Sequence, residues 1–209
     1  MTGNPPRHVV FDIGRVLIHY DPHIPFREII PDDAERDFFL SEVCSHEWNL
    51  EQDRGRSWAE AEAEAIARYP EREAEIRAFR RNWHRMVSHA YEDSVAIMIQ
   101  LIEAGVDVTL LTNFAPDTFR EAQRLYPFLT QTRGVTVSGE VGLLKPDRAI
   151  YDLHVARFDL DPFSTLFTDD SKKNIEGAVA AGWQGIHFQD SAKLAADLRE
   201  CGFSFVSTG

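Results

Sequence analysis

Cysteine is nearly absent from this chain, with only Cys44 and Cys201 among its 209 residues. Two thiols so far apart, with no metal-ligand spacing, exclude a disulfide scaffold and a cysteine-based metal module; a reducing compartment suits them. Long hydrophobic runs are missing too, and nothing approaches the length of a membrane-spanning helix. Positive charge is scarce: 22 Lys and Arg stand against 34 Asp and Glu, a formal net charge of -12. Such a chain has no electrostatic footprint for a nucleic-acid backbone, so nucleic-acid binding is set aside. The segment before the first apolar run is polar and proline-bearing. It lacks the apolar stretch of a signal peptide, and the predicted location is cytoplasmic. Internal repeats and low-complexity tracts are also absent. What is present is a 44% apolar content, enough for a packed core in one domain, or in one domain with a small insertion.

His8–Phe11 is a short apolar, β-branched run and reads as a buried strand. From 22 to 89 the character changes to Ala, Glu and Arg with few β-branched residues. Trp58, Ala61, Ala65, Ile66 and Tyr69 recur at helical spacing, as do Ile76, Phe79, Trp83 and Met86, with a further helix over 32–43. After His89 an alternation begins. Helices are predicted over 93–104, Pro116–Leu125, Arg148–Phe158, 174–181 and 192–201. Strands are predicted over 107–111, 135–138, 165–168, 185–188 and 204–206. Alternating strands and helices argue for an α/β fold, a doubly wound parallel sheet of Rossmann-like form. The predicted division is a core of residues 1–20 and 90–209, with an all-helical cap, 21–89, inserted after the first strand.

In such sheets function gathers at the carboxyl ends of the strands. Here VVF is followed by Asp12-Ile13-Gly14, VTLL by Thr112-Asn113, and TLFT by Asp169-Asp170, with Gly142-Leu143-Leu144-Lys145-Pro146 between. Alone, each piece has a plain explanation. Asp-X-Gly is common in turns, Thr-Asn and Asp-Asp cap helices, and a lysine before proline is usually solvated. Together they place carboxylates, a hydroxyl, an amide and an ammonium on one edge. Clustered carboxylates call for a cation, and all-oxygen ligands suit Mg²⁺. The donors suit phosphate oxygens. A lone carboxylate at a strand end can attack phosphorus.

VVFDIGRVL, LLTNFAPDTF, GLLKPDRAIYD and LFTDDSKKNIEGA resemble the four motifs of the haloacid dehalogenase superfamily, and the resemblance spans nearly the whole chain. It looks closest to the bacterial α-D-glucose-1-phosphate phosphatase type, and motifs two to four are similar to the phosphatase domain of soluble epoxide hydrolase. The resemblance implies a small helical cap and a hydrolase acting on a small phosphorylated metabolite, a sugar phosphate, through an aspartyl-phosphate. It implies Asp12 as nucleophile and metal ligand, with the Gly14 carbonyl and Asp170 completing the protein ligands of Mg²⁺. Thr112, Asn113, Lys145 and the backbone N–H groups of Ile13 and Gly14 would bind the phosphoryl group, Lys145 also neutralising charge. Asp169 and Asn174 would hold Asp170 in place. The expected partner is a small phosphoester, with no nucleic acid or membrane, and the protein is expected to be a monomer or homodimer.

Gly14 departs from the pattern, because most phosphatases of the superfamily carry there an aspartate that protonates the leaving oxygen. Asp21, His46 and Glu47 are the substitutes the sequence offers. The missing acid also admits a second reading, a metal-free 2-haloacid dehalogenase with an ester intermediate on Asp12, for which Tyr151 stands at a matching place. Against it, adjacent Asp169 and Asp170 beside a third carboxylate are costly without a cation, and Val16 stands where a dehalogenase has threonine. A third reading is a non-catalytic protein that holds Mg²⁺ and a phosphorylated ligand; intact Asp12, Lys145 and Asp170 speak against it. The tryptophans at helical spacing are expected in the cap core, and Trp48, off that pattern, is expected to line the cleft. The remaining histidines show no metal-ligand spacing.

Overall fold

A computed structural model of the protein describes residues 5–207. Strand β1 (His8–Phe11) leads into a run of helices: α1 (His23–Ile29), α2 (Asp33–Phe38, continued by a π-helical stretch, Phe39–Val43), α3 (His46–Asp53), α4 (Trp58–Arg68), α5 (Glu73–Arg81) and α6 (Trp83–Met86). The alternation that follows is α7 (Glu92–Glu103), β2 (Asp107–Thr112), α8 (Pro116–Leu125), β3 (Val135–Val137), α9 (Ser138–Val141), α10 (Arg148–Phe158), β4 (Thr165–Asp169), α11 (Lys172–Ala180), β5 (Gln184–His187) and α12 (Ser191–Glu200).

Every residue of β1 is buried, because the strand lies in the middle of the sheet with helices on both faces. The five strands are parallel, in the order β3-β2-β1-β4-β5. Val9, Phe11, Leu110 and Leu166 point to one face, where α7 and α12 supply Met98, Leu101, Leu194 and Leu198. Val10, Leu111 and Phe167 point to the other, against Ile150 and Tyr151 of α10 and Ala178 of α11. The register sets Phe11 level with Leu110 and Thr168, so the residues after β1, β2 and β4 emerge side by side. The chain leaves β1 for β2 on one side and later crosses to β4 on the other. The crevice between the carboxyl ends of β1 and β4 is therefore the switch point of the sheet.

Between His23 and Met86 the described chain is helical. The segments entering and leaving it pair antiparallel: His19 N–H donates to the His89 carbonyl at 2.9 Å, Asp21 N–H to Met86 at 2.9 Å, and Tyr91 N–H to Leu17 at 2.9 Å. The helical lobe has an aromatic interior in which Phe26 stacks on Phe39 at 5.0 Å and Trp48 meets Phe79 edge-on at 5.4 Å. Ser57 and Glu60 form a reciprocal cap at the start of α4. Hydrogen bonds dock the lobe on the core. The Trp58 indole N–H and the Arg80 guanidinium donate to the two oxygens of Asp117 at 3.0 and 2.8 Å, and Ser138 Oγ donates to the Asp53 carbonyl at 2.5 Å.

The expected strand over 204–206 does not form. Phe203 and Val206 are buried while Phe205 between them is 48% exposed, a spacing of three that closes a turn. A strand would bury alternate residues instead. The short helix α9 carries no periodic signal in the sequence that would predict it. Cys44 and Cys201 are both free. Among the described residues no helix is long and apolar enough to cross a membrane.

Candidate active site

Asp12 follows β1 directly, and its N–H donates to the Thr168 carbonyl at 2.9 Å, carrying the ladder one residue past the strand. Its Oδ1 accepts from Lys145 Nζ at 2.8 Å and from the Ile13 N–H at 2.7 Å. Lys145 is fully enclosed and also donates to Asp169 Oδ2 at 2.7 Å and to the Leu111 carbonyl at 3.1 Å. Burial alone would lower the Lys145 pKa, but the Asp12 and Asp169 carboxylates outweigh it and hold the ammonium above its ordinary value. Burial raises the Asp12 carboxyl to about 7 against the pull of Lys145, and Asp169 and Asp170 add to the rise. Asp170 is raised as well, first by burial and then by Asp169.

Oxygens of Asp12, Asp169 and Asp170 lie within 4.8 Å of one another. Asp169 is saturated, with Oδ1 accepting from the Ser171 N–H at 2.7 Å and the Asn174 amide reaching both oxygens at 3.1 and 3.0 Å. Asp12 Oδ2 and the Asp170 carboxylate accept no hydrogen bond from another of the described residues, and Arg15 stands 4.0 Å from Asp170. Oxygen donors of one sign, drawn together with a single lysine among them, fit Mg²⁺. Asp12, Asp170 and the Gly14 carbonyl are the groups that would hold it.

A cleft of about 510 Å³ opens over this cluster. Thr112, Asn113, Lys145, Gly14 and Asn174 line its floor, and His46, Asn49, Leu50, Asp53, Trp58 and Trp83 its cap side. Several residues do something other than expected. The Asn113 amide is joined to the Lys145 backbone in both directions, at 2.9 and 3.1 Å, so it fixes the loop that carries the lysine. The Ile13 N–H turns to the Asp12 carboxylate. Asp169 grips Lys145, and Asn174 grips Asp169; neither holds the Asp170 side chain. Trp48 lies in the cap interior, its N–H donating to the Ala61 carbonyl at 3.3 Å, while Trp58 faces the cleft; Trp83 is buried in the core as expected and also lines the cleft. Asp21 accepts from the His23 N–H at 2.8 Å, the bond of a turn. His46 and Glu47 are exposed at the cleft rim. Tyr151 is buried and donates to the Asn174 carbonyl at 2.7 Å, away from the cleft.

Arg15 and Asp53 are among the cleft residues not read as part of the site in the sequence. Arg15, held in the left-handed region at φ 58°, reaches both Asp170 and the Tyr20 ring. Asp53 ends α3 inside the cleft. It accepts from Asn49 Nδ2 at 3.0 Å and from the Ala115 N–H, and it senses both Asp12 and Lys145. Gly55 at φ 116° makes the turn that brings it there, against the Gly139 carbonyl.

The parallel five-stranded sheet with a helical lobe above its switch point is the fold of solved structures from the haloacid dehalogenase family. The chain has that fold. Over 90% of its length it superposes on 95% of a haloacid dehalogenase family enzyme of Bacteroides thetaiotaomicron with a TM-score of 0.70 at 21% identity. That enzyme also has a structure in complex with magnesium and inorganic phosphate. An L-2-haloacid dehalogenase of Xanthobacter autotrophicus, with chloropropionic acid covalently bound, matches 98% of this chain and 84% of its own with a TM-score of 0.66 at 16% identity. Among curated proteins, a sesquiterpene phosphatase of Aspergillus oryzae is 28% identical over 50% of this chain and 54% of its own length. A phosphoserine phosphatase of Thermus thermophilus is 31% identical over 56% of this chain and 47% of its own. The chain thus spans about half the length of the curated relatives it matches. No protein-family model matches it.

Proposed function

We propose that this protein is a Mg²⁺-dependent phosphomonoesterase that acts on a small phosphorylated metabolite through an aspartyl-phosphate on Asp12. The observation that carries the reading is Lys145, buried and bonded to Asp12 at 2.8 Å and Asp169 at 2.7 Å, beside an Asp170 carboxylate that only Arg15 approaches, at 4.0 Å. A 2-haloacid is itself an anion near neutral pH and would be repelled by three carboxylates with no cation among them, and the tyrosine that favoured dehalogenation faces Asn174 instead. The phosphatase names of the curated relatives support the same choice.

Mg²⁺, when bound, supplies positive charge against phosphoryl oxygens. This chain's own groups do the rest. Lys145 favours the charged form of Asp12 and holds it in place while the phosphoryl group approaches. Thr112 Oγ1 stands at the cleft floor as a donor to a phosphoryl oxygen. Asn113 and Asp169 hold Lys145 from its backbone and its ammonium. The helical segment 21–89 acts as a cap whose docking on Asp117 and Ser138 excludes water. The enzyme works in the cytoplasm, as a monomer or homodimer.

A sugar phosphate remains the substrate that the motifs suggest, and Asn49, His46 and Glu47 offer bonds for its hydroxyls. A second reading is favoured by the apolar wall of the cleft. Tyr20, Leu50, Trp58, Trp83 and Phe114 suit a phosphomonoester with an apolar or aromatic organic group. The experiment is a phosphate-release screen over sugar, amino-acid, nucleotide and apolar phosphomonoesters, with Mg²⁺ and with chelator, beside a halide-release assay on 2-haloacids. Phosphate release that needs Mg²⁺ supports the proposal. Halide release in chelator, with no phosphatase activity, overturns it.

A further inference from the structure

Gly14 has no side chain with which to protonate the leaving-group oxygen. The cap supplies a carboxyl at the same cleft. Asp53 is half-buried at the end of α3, in a cleft whose floor is Asp12, Thr112 and Lys145. Its position is over-determined. Its carbonyl accepts from the buried Ser138 hydroxyl at 2.5 Å, its carboxylate accepts from Asn49 Nδ2 at 3.0 Å and from the Ala115 N–H, and the chain turns at Gly55 against Gly139. The three substitutes read from the sequence have no such placement, since Asp21 is tied into a turn and His46 and Glu47 lie exposed at the rim.

Resting on the phosphatase reading, we infer that Asp53 is a catalytic acid and base, carried in by the cap to do what Gly14 cannot. In the first half-reaction an Asp12 oxygen bonds to phosphorus while the bond from phosphorus to the leaving oxygen breaks, its electron pair going to that oxygen. The Asp53 carboxyl gives its proton to that oxygen and the alcohol departs. In the second half a water oxygen bonds to phosphorus, a water proton passes to the Asp53 carboxylate, and the bond from phosphorus to Asp12 breaks. Inorganic phosphate leaves, and the Asp12 carboxylate and the Asp53 acid are restored.

The electrostatics agree with the geometry. Burial raises the Asp53 carboxyl to about 8, with the Ala115 N–H opposing, Asp12 adding to the rise and Lys145 opposing it. Tyr20 faces it from beyond β1, and Arg54 beside it turns to Glu51 and Asp147. The acid form therefore dominates at neutral pH, as protonation of a leaving group requires. The same placement ties proton transfer to cap docking, so an undocked cap leaves the site without its acid.

The test compares p-nitrophenyl phosphate, whose leaving group needs no proton, with 2-phenylethyl phosphate, whose leaving group does, on the full-length protein with Mg²⁺. Asp53→Asn leaves the backbone carbonyl of residue 53 on the Ser138 hydroxyl, so the docking contact is kept. Turnover of 2-phenylethyl phosphate should fall by roughly 10²–10⁴-fold. Rapid mixing with p-nitrophenyl phosphate should show an intact burst of nitrophenol followed by a slowed steady state. Asp53→Glu should restore part of the alkyl-ester rate. The wild type should lose kcat/KM for the alkyl ester as pH rises past about 8. Equal losses on both esters, with no burst, would reduce Asp53 to a docking residue and overturn the inference. An unchanged alkyl-ester rate overturns it too. Independently of any variant, a steep dependence of the wild-type rate on leaving-group pKa contradicts it. If the wild type releases no phosphate from any ester, the phosphatase reading itself fails, a result distinct from these.

Discussion

Replacing Lys145 by methionine keeps the apolar stem and removes only the charge. In the folded protein that charge meets Asp12 at 2.8 Å, Asp169 at 2.7 Å and the Leu111 carbonyl at 3.1 Å, all within a buried site. Breaking a buried ion pair from one side costs about 3–5 kcal/mol, because the partner charge stays buried without compensation. For a chain of this size each kcal/mol moves the melting midpoint by about 2–4 °C, so a fall of about 6–20 °C is expected at pH 8.5 in chelator. The loss should depend on pH, and its sign follows from Asp12. A carboxyl whose folded pKa is raised destabilises the fold above that pKa and recovers as protonation neutralises it. Asp12 already lies near 7 with the lysine present and climbs further without it. The deficit should therefore be largest above pH 7 and shrink at pH 5.5. Urea titration of both proteins at the two pH values measures it. A deficit below about 1 kcal/mol, or one that grows towards acid, would show that water or a rearranged side chain screens the cluster, and would refute the assignment of Lys145 as the charge that holds it together.

Three further outcomes are expected. Gly14 has an ordinary φ and open space where a Cβ would sit, so Gly14→Asp should fold normally; placed on Asp53→Asn it should recover alkyl-ester hydrolysis, and steady-state rates of the double variant decide this. His154 is buried in a chain of bonds linking Thr136, Thr109 and His8, and burial lowers its pKa from 6.5 to about 3. With a folded pKa below the unfolded one, stability is intact above pH 6.5 and falls as pH drops towards 3, by on the order of 4–5 kcal/mol at the limit; a urea series across that window, flattened in His154→Gln, checks it. Trp58→Ala should raise KM for an apolar phosphomonoester by about ten-fold, roughly 1.4 kcal/mol, with a smaller change for a sugar phosphate, as initial-rate kinetics would show.

What the sequence made legible follows from where the physics is local. His8–Phe11 and 107–111 are read correctly because strands buried on both faces are rich in apolar residues, here Val9, Val10, Phe11, Val108, Leu110 and Leu111. Asp12, Asp169, Asp170 and Lys145 are found because parallel strands deliver their ends to one edge, and the register carries this out. Contacts between distant segments are not written in any local pattern. Helical spacing puts Trp58 on one face of α4 without saying that the core lies across it, which is why Trp48 and Trp58 exchange their expected places. Asn113 looks free for phosphate until the Lys145 loop folds back onto its amide. Asp53 carries no signal beyond a turn between helices, because its place depends on α3 docking against Ser138 and Ala115.

The central claim is that Asp12 takes up the phosphoryl group. Acid quenching during turnover of a good substrate with Mg²⁺, followed by peptide mapping, tests it directly. One phosphoryl group is expected on the peptide containing Asp12, and none in Asp12→Asn, which should fold and not turn over. Phosphate release with Asp12 unlabelled, or by Asp12→Asn at an appreciable rate, would contradict the claim.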